Sequence, residues 1–389
     1  MKSAFKNISF LLCAACAIVP AFAQTSRFHK KSLPIHSSWK IMNSIIRKTC
    51  ALTLLLLANA LPAWAQTQNV AAIANYEGSD RQQRLVAEAK REGSLTIYTS
   101  ITPANFDVLK VDFEKKYGVK VNVWRAGDDK VVQRVLTEAK ANRNTVDLVH
   151  VNAIQMEELH RERMLQQVKS PYINDLVPSA VPAHREWIAT FMNLVVMAYN
   201  TDKVKKEELP KTYQDLLDPK WKGRLGVEAN DEEWFYAVVK EMGQEKGIKY
   251  FRDLVATNGL SVRTGHSLLN SMVISGDVPL ALTVFGHMPM LAKQKGAHID
   301  SFMLEPTVAF SFAVGLLKKS PNPNAAILFY EFMITEGQKH LSQMNYVPTN
   351  KDTDSPFKKI PYKVMDKALF LNEYEKWQNL YQDIILKAK

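Results

Sequence analysis

The sequence predicts an α/β protein in two halves, each built on parallel strands with helical crossovers. Strand-like and helix-like stretches alternate three times between residues 95 and 164, and a second alternating region runs from residue 225 to residue 285. The length of 389 residues, 47% of them hydrophobic and 23% charged, suffices for about two domains at roughly 150 residues each.

The formal net charge of +11 invites a nucleic-acid or anionic-membrane reading, but its position argues otherwise. Residues 1–65 hold Lys2, Lys6, Arg27, Lys30, Lys31, Lys40, Arg47 and Lys48 and no acid, leaving 42 basic against 39 acidic residues in the rest, a net +3. No nucleic-acid partner is expected. Cys13, Cys16 and Cys50 also lie in this segment, so no disulfide or thiolate site is expected downstream.

Residues 1–65 read as a signal region with two signal-peptide-like segments. Lys2 and Lys6 precede the apolar run Ile8 to Val19 and the small-x-small triplet Ala21-Phe22-Ala23; Arg47 and Lys48 precede Cys50 to Leu61 and Ala63-Trp64-Ala65. Each apolar run is too short for a bilayer core, which needs about twenty helical residues. Two export signals in series serve no purpose, so Met42 is expected as the true start, with cleavage after Ala65.

In the remaining chain, Leu95 to Ser100 is a β-branched and aromatic run, followed by a helical segment through Phe106, Leu109 and Phe113 that ends at Gly118. Val119 to Trp124 alternates as a strand before a helix through Val131 and Val135; Val146 to Val151 and Ile154 to Met164 repeat the pattern. Ligands of such sheets sit at the carboxyl ends of strands, which marks Thr99, Ser100, Arg125 and Asn152 as candidate ligand-binding residues.

Val195 to Tyr199 reads as a further strand, closed by Asn200 and Thr201. Leu225 to Glu228 is another, followed by a helix through Trp234, Phe235, Val238 and Met242; Leu260 to Val262, Leu268 to Ile274 and Pro279 to Phe285 continue as strand, helix and strand. Asn322-Pro323 predicts a helix start with Asn as cap, with Ala326, Phe329, Tyr330 and Met333 on one face. Trp377, Leu380, Tyr381 and Ile384 fall at i, i+3, i+4 and i+7, an amphipathic C-terminal helix.

Several of these blocks carry a resemblance. Leu95 to Ser100 after Glu92-Gly93, Ala198-Tyr199-Asn200-Thr201, Leu209-Pro210-Lys211-Thr212-Tyr213, Leu216 to Gly223, Pro321 to Ala326 and Glu336-Gly337-Gln338 resemble the ferric-type (family 1) extracellular solute-binding proteins of bacterial ABC importers. The resemblance implies a two-lobed, type II periplasmic-binding-protein fold, each lobe a mixed, largely parallel sheet flanked by helices, with a hinge and an interlobe cleft. Residues 66–190 plus 305–340 would form the N-terminal lobe and 191–304 plus 341–389 the C-terminal lobe. It further implies a periplasmic monomer that closes on a small-molecule solute and delivers it to a cognate ABC permease in the inner membrane. Neither catalytic residues nor a cofactor are expected.

One departure bears on the ligand. Iron-binding members hold the ion with adjacent tyrosines, whereas the corresponding strand end here reads Thr283-Val284-Phe285-Gly286-His287, without a Tyr-Tyr pair anywhere after residue 65. A small organic solute is therefore expected, whether organic acid, amino-acid-like or phosphonate; ferric iron and a periplasmic enzyme acting on a small molecule stand as alternatives. Arg125, Arg263 and His266 are candidates for an anionic group, because a guanidinium offers it a bidentate fork. Asp231 with Trp234 is the opposite candidate, for an amine or hydroxyls against an aromatic wall. Tyr199, Phe285 and His287 complete the expected cleft, and no metal ligand is assigned, His287-Met288-Pro289-Met290 being more ordinary as core filler. His-Glu-x-x-His, Gly-x-Ser-x-Gly and Gly-x-Gly-x-x-Gly motifs are absent from the sequence, and an export signal stands where a transcription regulator would carry its DNA-binding helices.

Overall fold

The computed structural model describes residues 69–387, so the expected signal segments, Met42 and the cleavage site lie outside the described residues. The first elements are helix α1 (Val70–Ala74), helix α2 (Arg81–Glu92), strand β1 (Ser94–Thr99), helix α3 (Pro103–Tyr117), strand β2 (Lys120–Arg125), helix α4 (Asp128–Lys140), strand β3 (Leu148–Asn152) and helix α5 (Ala153–Arg161). The periodicities in the sequence foretold β1 to α5 in type and order. Gly118 ends α3 at φ 68°, a left-handed turn that its missing Cβ permits.

Strand β4 (Leu165–Gln166) leads into β5 (Ile188–Asn200), then β6 (Leu225–Glu228), α6 (Glu232–Met242), α7 (Gln244–Asn258), β7 (Ser261–Arg263), α8 (His266–Ser275), β8 (Leu280–Phe285), α9 (His287–Gln294), β9 (Ile299–Phe302) and β10 (Ala309–Leu317). The chain ends with α10 (Pro323–Ile334), α11 (Gly337–Gln343), β11 (Val347–Pro348), α12 (Lys367–Asn372) and α13 (Tyr374–Tyr381), which runs on into a wide π turn at Gln382–Leu386. None of the described helices is long and apolar enough to cross a membrane.

The main sheet order is β2-β1-β3-β10-β5-β8-β6-β7. The β1/β2, β1/β3, β6/β7 and β6/β8 pairs are parallel, while β10 and β5 run antiparallel to their neighbours. Strand β5 joins the two halves. Its first part, Ile188 to Leu194, pairs with β10, and its second, Val195 to Asn200, pairs with β8 and β9. All thirteen residues of β5 are buried, as suits a strand covered on both faces.

Helix α10 departs from the expected one-sided pattern, because every residue from Pro323 to Ile334 is buried. Its amino-terminal N–H groups would then lack water, and Glu92 supplies acceptors: Oε2 accepts from Ala325 N at 2.6 Å and Oε1 from Asn324 N at 3.1 Å. Asn322 stands at the cap position, but its side chain makes no capping bond. Asp147 engages it instead, accepting from Asn322 N and Ser320 Oγ at 2.6 Å each and from Thr96 N at 2.7 Å. One buried carboxylate thus ties β1 to the entry of α10.

Candidate functional site

The carboxyl ends of β2, β3, β6, β7 and β8 converge on a cleft of about 450 Å³. Asp128 and Asp129 enter it from the first turn of α4, Glu228 from the end of β6, and Asp231, Glu232 and Glu233 from the cap and first turn of α6. Phe285, Phe310, Phe312, Phe370 and Tyr374 supply aromatic lining, while Lys130 and His266 are its basic side chains. Six carboxylates, one of them already paired with Lys367 behind the wall, face two basic groups, so the cleft favours cations.

Glu228 is fixed from several sides. Its carboxylate accepts from Gly265 N at 2.7 Å and Asn230 N at 2.5 Å, its N–H donates to Thr283 Oγ1 at 3.0 Å, and its carbonyl accepts from Tyr381 Oη. Gly265 reaches it from φ 99°, a conformation that a Cβ would strain. Burial, and then the charge of Asp231, push the Glu228 carboxyl above its usual range.

Asp231 is 1% exposed, and neither of its carboxylate oxygens has a hydrogen-bond partner. His266 Nε2 stands 3.3 Å from Asp231 Oδ1, out of line for a hydrogen bond, with Nδ1 3.4 Å from Thr283 O and the ring against Phe285 at 3.9 Å. Burial alone would lower the His266 pKa, but Asp231 and Glu228 outweigh it and raise it. One ligand atom each from Glu228, Asp231 and His266 lies within 4.8 Å of the others, the spacing at which three donors can share one cation. Burial raises Glu232 to about 7, and it raises Asp128 as well.

Glu233 couples the two halves of the sheet. Its Oε2 accepts from Asn152 Nδ2 at 3.2 Å, and its Oε1 accepts from Lys367 Nζ. Asn152 also caps α5, its Oδ1 accepting from Ile154 N at 2.9 Å.

Of the residues expected from sequence, Asn152, Asp231, His266 and Phe285 meet in this cleft, and the others stand elsewhere. Thr99 is buried, with Oγ1 accepting from Ile101 N; Ser100 lies against Asp128 at the edge of the cleft and opposes the rise that burial gives that carboxyl. Arg125 is exposed and lines a separate groove beside Lys120 and Asp107. Arg263 turns back, with Nη1 donating to Val262 O at 2.8 Å and Nε 3.0 Å from Met272 Sδ. Tyr199 packs on Phe302, Trp234 is core and donates to Tyr213 Oη, and His287 sits behind the wall, 3.2 Å from Asn193 Oδ1. The two arginines expected to hold an anion are thus outside the acidic cleft.

Sequence reading missed Asp128 and Asp129, although they follow β2 in the strand-end layer that it had marked. It also missed Phe310, Phe312, Phe370 and Tyr374, which distant segments bring in.

Residues 144–372 match the family described as bacterial extracellular solute-binding protein. The chain belongs to that family. Among curated relatives, it is 26% identical over 285 residues to iron uptake protein A1 of Synechocystis sp. (strain ATCC 27184 / PCC 6803 / Kazusa), covering 67% of this chain and 79% of that protein. It is 23% identical to the major ferric iron-binding protein of Neisseria gonorrhoeae, over 70% and 86% of the two chains. Among solved structures, iron-bound HitA from Pseudomonas aeruginosa superposes with a TM-score of 0.66 at 26% identity, over 75% of this chain and 99% of that one. The periplasmic binding protein AfuA from Actinobacillus pleuropneumoniae, with fructose-6-phosphate bound, gives 0.66 at 23% identity, over 76% and 99%, a likeness of fold alone. The architecture is therefore the two-lobed type II periplasmic-binding-protein fold expected from the resemblance.

Proposed function

We propose that this family member captures a metal cation, ferric iron first, in the cleft and delivers it from the periplasm to an ABC permease as a monomer. The observation that carries the reading is Asp231, whose buried carboxylate stands beside Glu228 with no hydrogen bond and only the His266 ring, at 3.3 Å, to face it. A buried carboxylate without hydrogen bonds is costly even beside a histidine, and a bound cation offsets that cost. Ferric iron is a hard acceptor that favours the two carboxylates, and the iron-named relatives support this choice. Lobes divided along β5 would close by a hinge, with Asp128 and Asp129 facing the α6 acids across the gap.

A second reading, an organic solute, rests on Phe285, Phe310, Phe312 and Phe370, since about 450 Å³ of partly aromatic space exceeds what a bare ion needs. An organic acid or phosphonate would add negative charge to six carboxylates, so the solute of this reading carries an amine, placed at Asp231 with its carbon body on the rings.

Metal analysis after dialysis against ferric citrate, beside thermal-shift measurements with primary amines, separates the two. We expect one iron per chain, retained by the native protein and lost in Asp231→Asn. Absence of retained iron, together with stabilisation by an amine, would replace the first reading with the second.

A further inference from the structure

The C-terminal segment crosses from one half of the sheet to the other. Helix α13 is rooted on α6, where Trp377 stands 4.9 Å from the ring of Tyr236 and Tyr381 stands 5.6 Å from that of Phe235, both of them fully buried. Helix α12, one residue before it, lies along α5 of the other half. Phe370 and Tyr374 share the cleft lining with Ile154 and Gln155 from the start of α5. At the end of α5, Arg161 reaches across: Nη2 donates to Ala368 O at 2.8 Å and to Asn372 Oδ1 at 3.0 Å.

The base of that reach is fixed. Arg161 Nε stands 3.8 Å from Glu157 Oε1, one turn earlier on α5. Glu157 Oε2 in turn lies 3.1 Å from His184 Nε2 and accepts from Trp187 Nε1 at 3.3 Å, both in the segment that leads into β5. A planar guanidinium held on one side by a carboxylate presents its outer nitrogen in a set direction.

The two attachments of α12 differ in kind. Through α13 it is joined to α6 by buried rings, and parting them would expose Phe370, Trp377 and Tyr381 to water. Its polar link to α5 is two hydrogen bonds from the exposed Arg161 side chain, which water replaces at small cost. When the two halves part, α12 therefore leaves with α6, and the Arg161 bonds are among those that break.

We propose that Arg161 is a clasp, a positioning residue that holds α12 along one side of the cleft and so favours the shut protein and slows the escape of its cargo. The clasp rests on the hinge closure proposed above, whatever the cargo.

Spin-label distances test it without any ligand. No cysteine follows residue 65, so labels on the mature chain attach only where a cysteine is introduced. One exposed pair, Glu162→Cys with Leu369→Cys, spans α5 and α12; a second, Gln133→Cys with Leu268→Cys, spans the two halves through α4 and α8. In both pairs, Arg161→Ala should raise the ratio of long to short distances about fivefold, and Arg161→Lys, which keeps one donor, should recover part of the shift. A role confined to pinning α12 would move the first pair and leave the second alone. In iron-loaded protein prepared from ferric citrate, a chelator should strip the metal about fivefold faster from Arg161→Ala. Failure to retain iron at all would count against the cargo assigned to the cleft, and the label distances would still decide the clasp. Unchanged distances in both pairs, a shift in the first pair alone, or a shift in the second alone would overturn the proposal.

Discussion

Asn152, at the end of β3, donates to Glu233 on the first turn of α6 at 3.2 Å, and Lys367 from the C-terminal segment ends on the same carboxylate. Three parts of the chain separated by 81 and 134 positions therefore meet at one buried group. Burial pushes the Glu233 carboxyl up while the Lys367 charge holds it down, so the pair stands only while both partners are present.

Glu233→Gln should accordingly destabilise the protein by about 3–5 kcal/mol, because it leaves Lys367 buried and unpaired. Chemical denaturation measures the loss. The double variant Glu233→Gln with Lys367→Met should recover much of it, and equal instability of single and double variants would show that the ion pair is not what matters here.

The cleft should show the opposite sign. Asp231→Asn removes a buried charge from among Glu228, Glu232 and Glu233; the loss of its pairing with His266 is the smaller effect at pH 8, so there the variant should gain about 0.5–2 kcal/mol of stability while losing its cargo. Thermal melts of the apo forms check the first half and metal retention checks the second. A variant that melts lower than the native protein would mean that Asp231 serves the fold.

Much of the architecture was legible in the sequence because its outer strands and helices are half covered. Strand β2, at the sheet edge, buries Val121 between exposed Lys120 and Asn122 as its alternation indicated, and the α6 residues Trp234, Phe235 and Val238 carry a helical period. Strand β10 and the first part of β5 escaped notice, since strands buried on both faces show no alternation. The full burial of α10 was likewise hidden, because the partner that lets the charged Glu331 be buried, Arg81, lies 250 positions away. The site was half legible. Strand ends mark a layer, but which way a long side chain turns is decided by neighbours: Arg263 folds back on its own strand, and Arg125 points to another groove.

Helix packing gives a further test at Gly247. A Cβ there would stand 2.7 Å from Val239 Cα and 2.8 Å from Val239 O, so α6 and α7 approach through backbone that cannot yield. Gly247→Ala gains helix propensity, yet overpacking should dominate, for a net loss of about 1–3 kcal/mol in urea denaturation. A neutral or stabilising result would mean that the two helices separate at little cost.

The last prediction concerns pH. His150 lies in β3 beneath the ring of Phe191, with Nε2 2.8 Å from Thr190 Oγ1 and Nδ1 buried without a partner. Its surroundings are uncharged, and burial lowers its pKa from 6.5 to about 3. Between those values the unfolded chain binds a proton that the folded chain refuses, so stability falls as the pH drops from 6.5 toward 3. At pH 5 the loss from this residue is about 2 kcal/mol. His287, also lowered to about 3, adds to the same trend, whereas Glu232, raised to about 7, works against it. The comparison that isolates His150 is therefore the difference between native protein and His150→Gln, measured by urea denaturation at pH 7 and pH 5. That difference should move in favour of the variant by about 2 kcal/mol between the two. If it is the same at both, His150 is protonated in the folded protein and the burial argument fails.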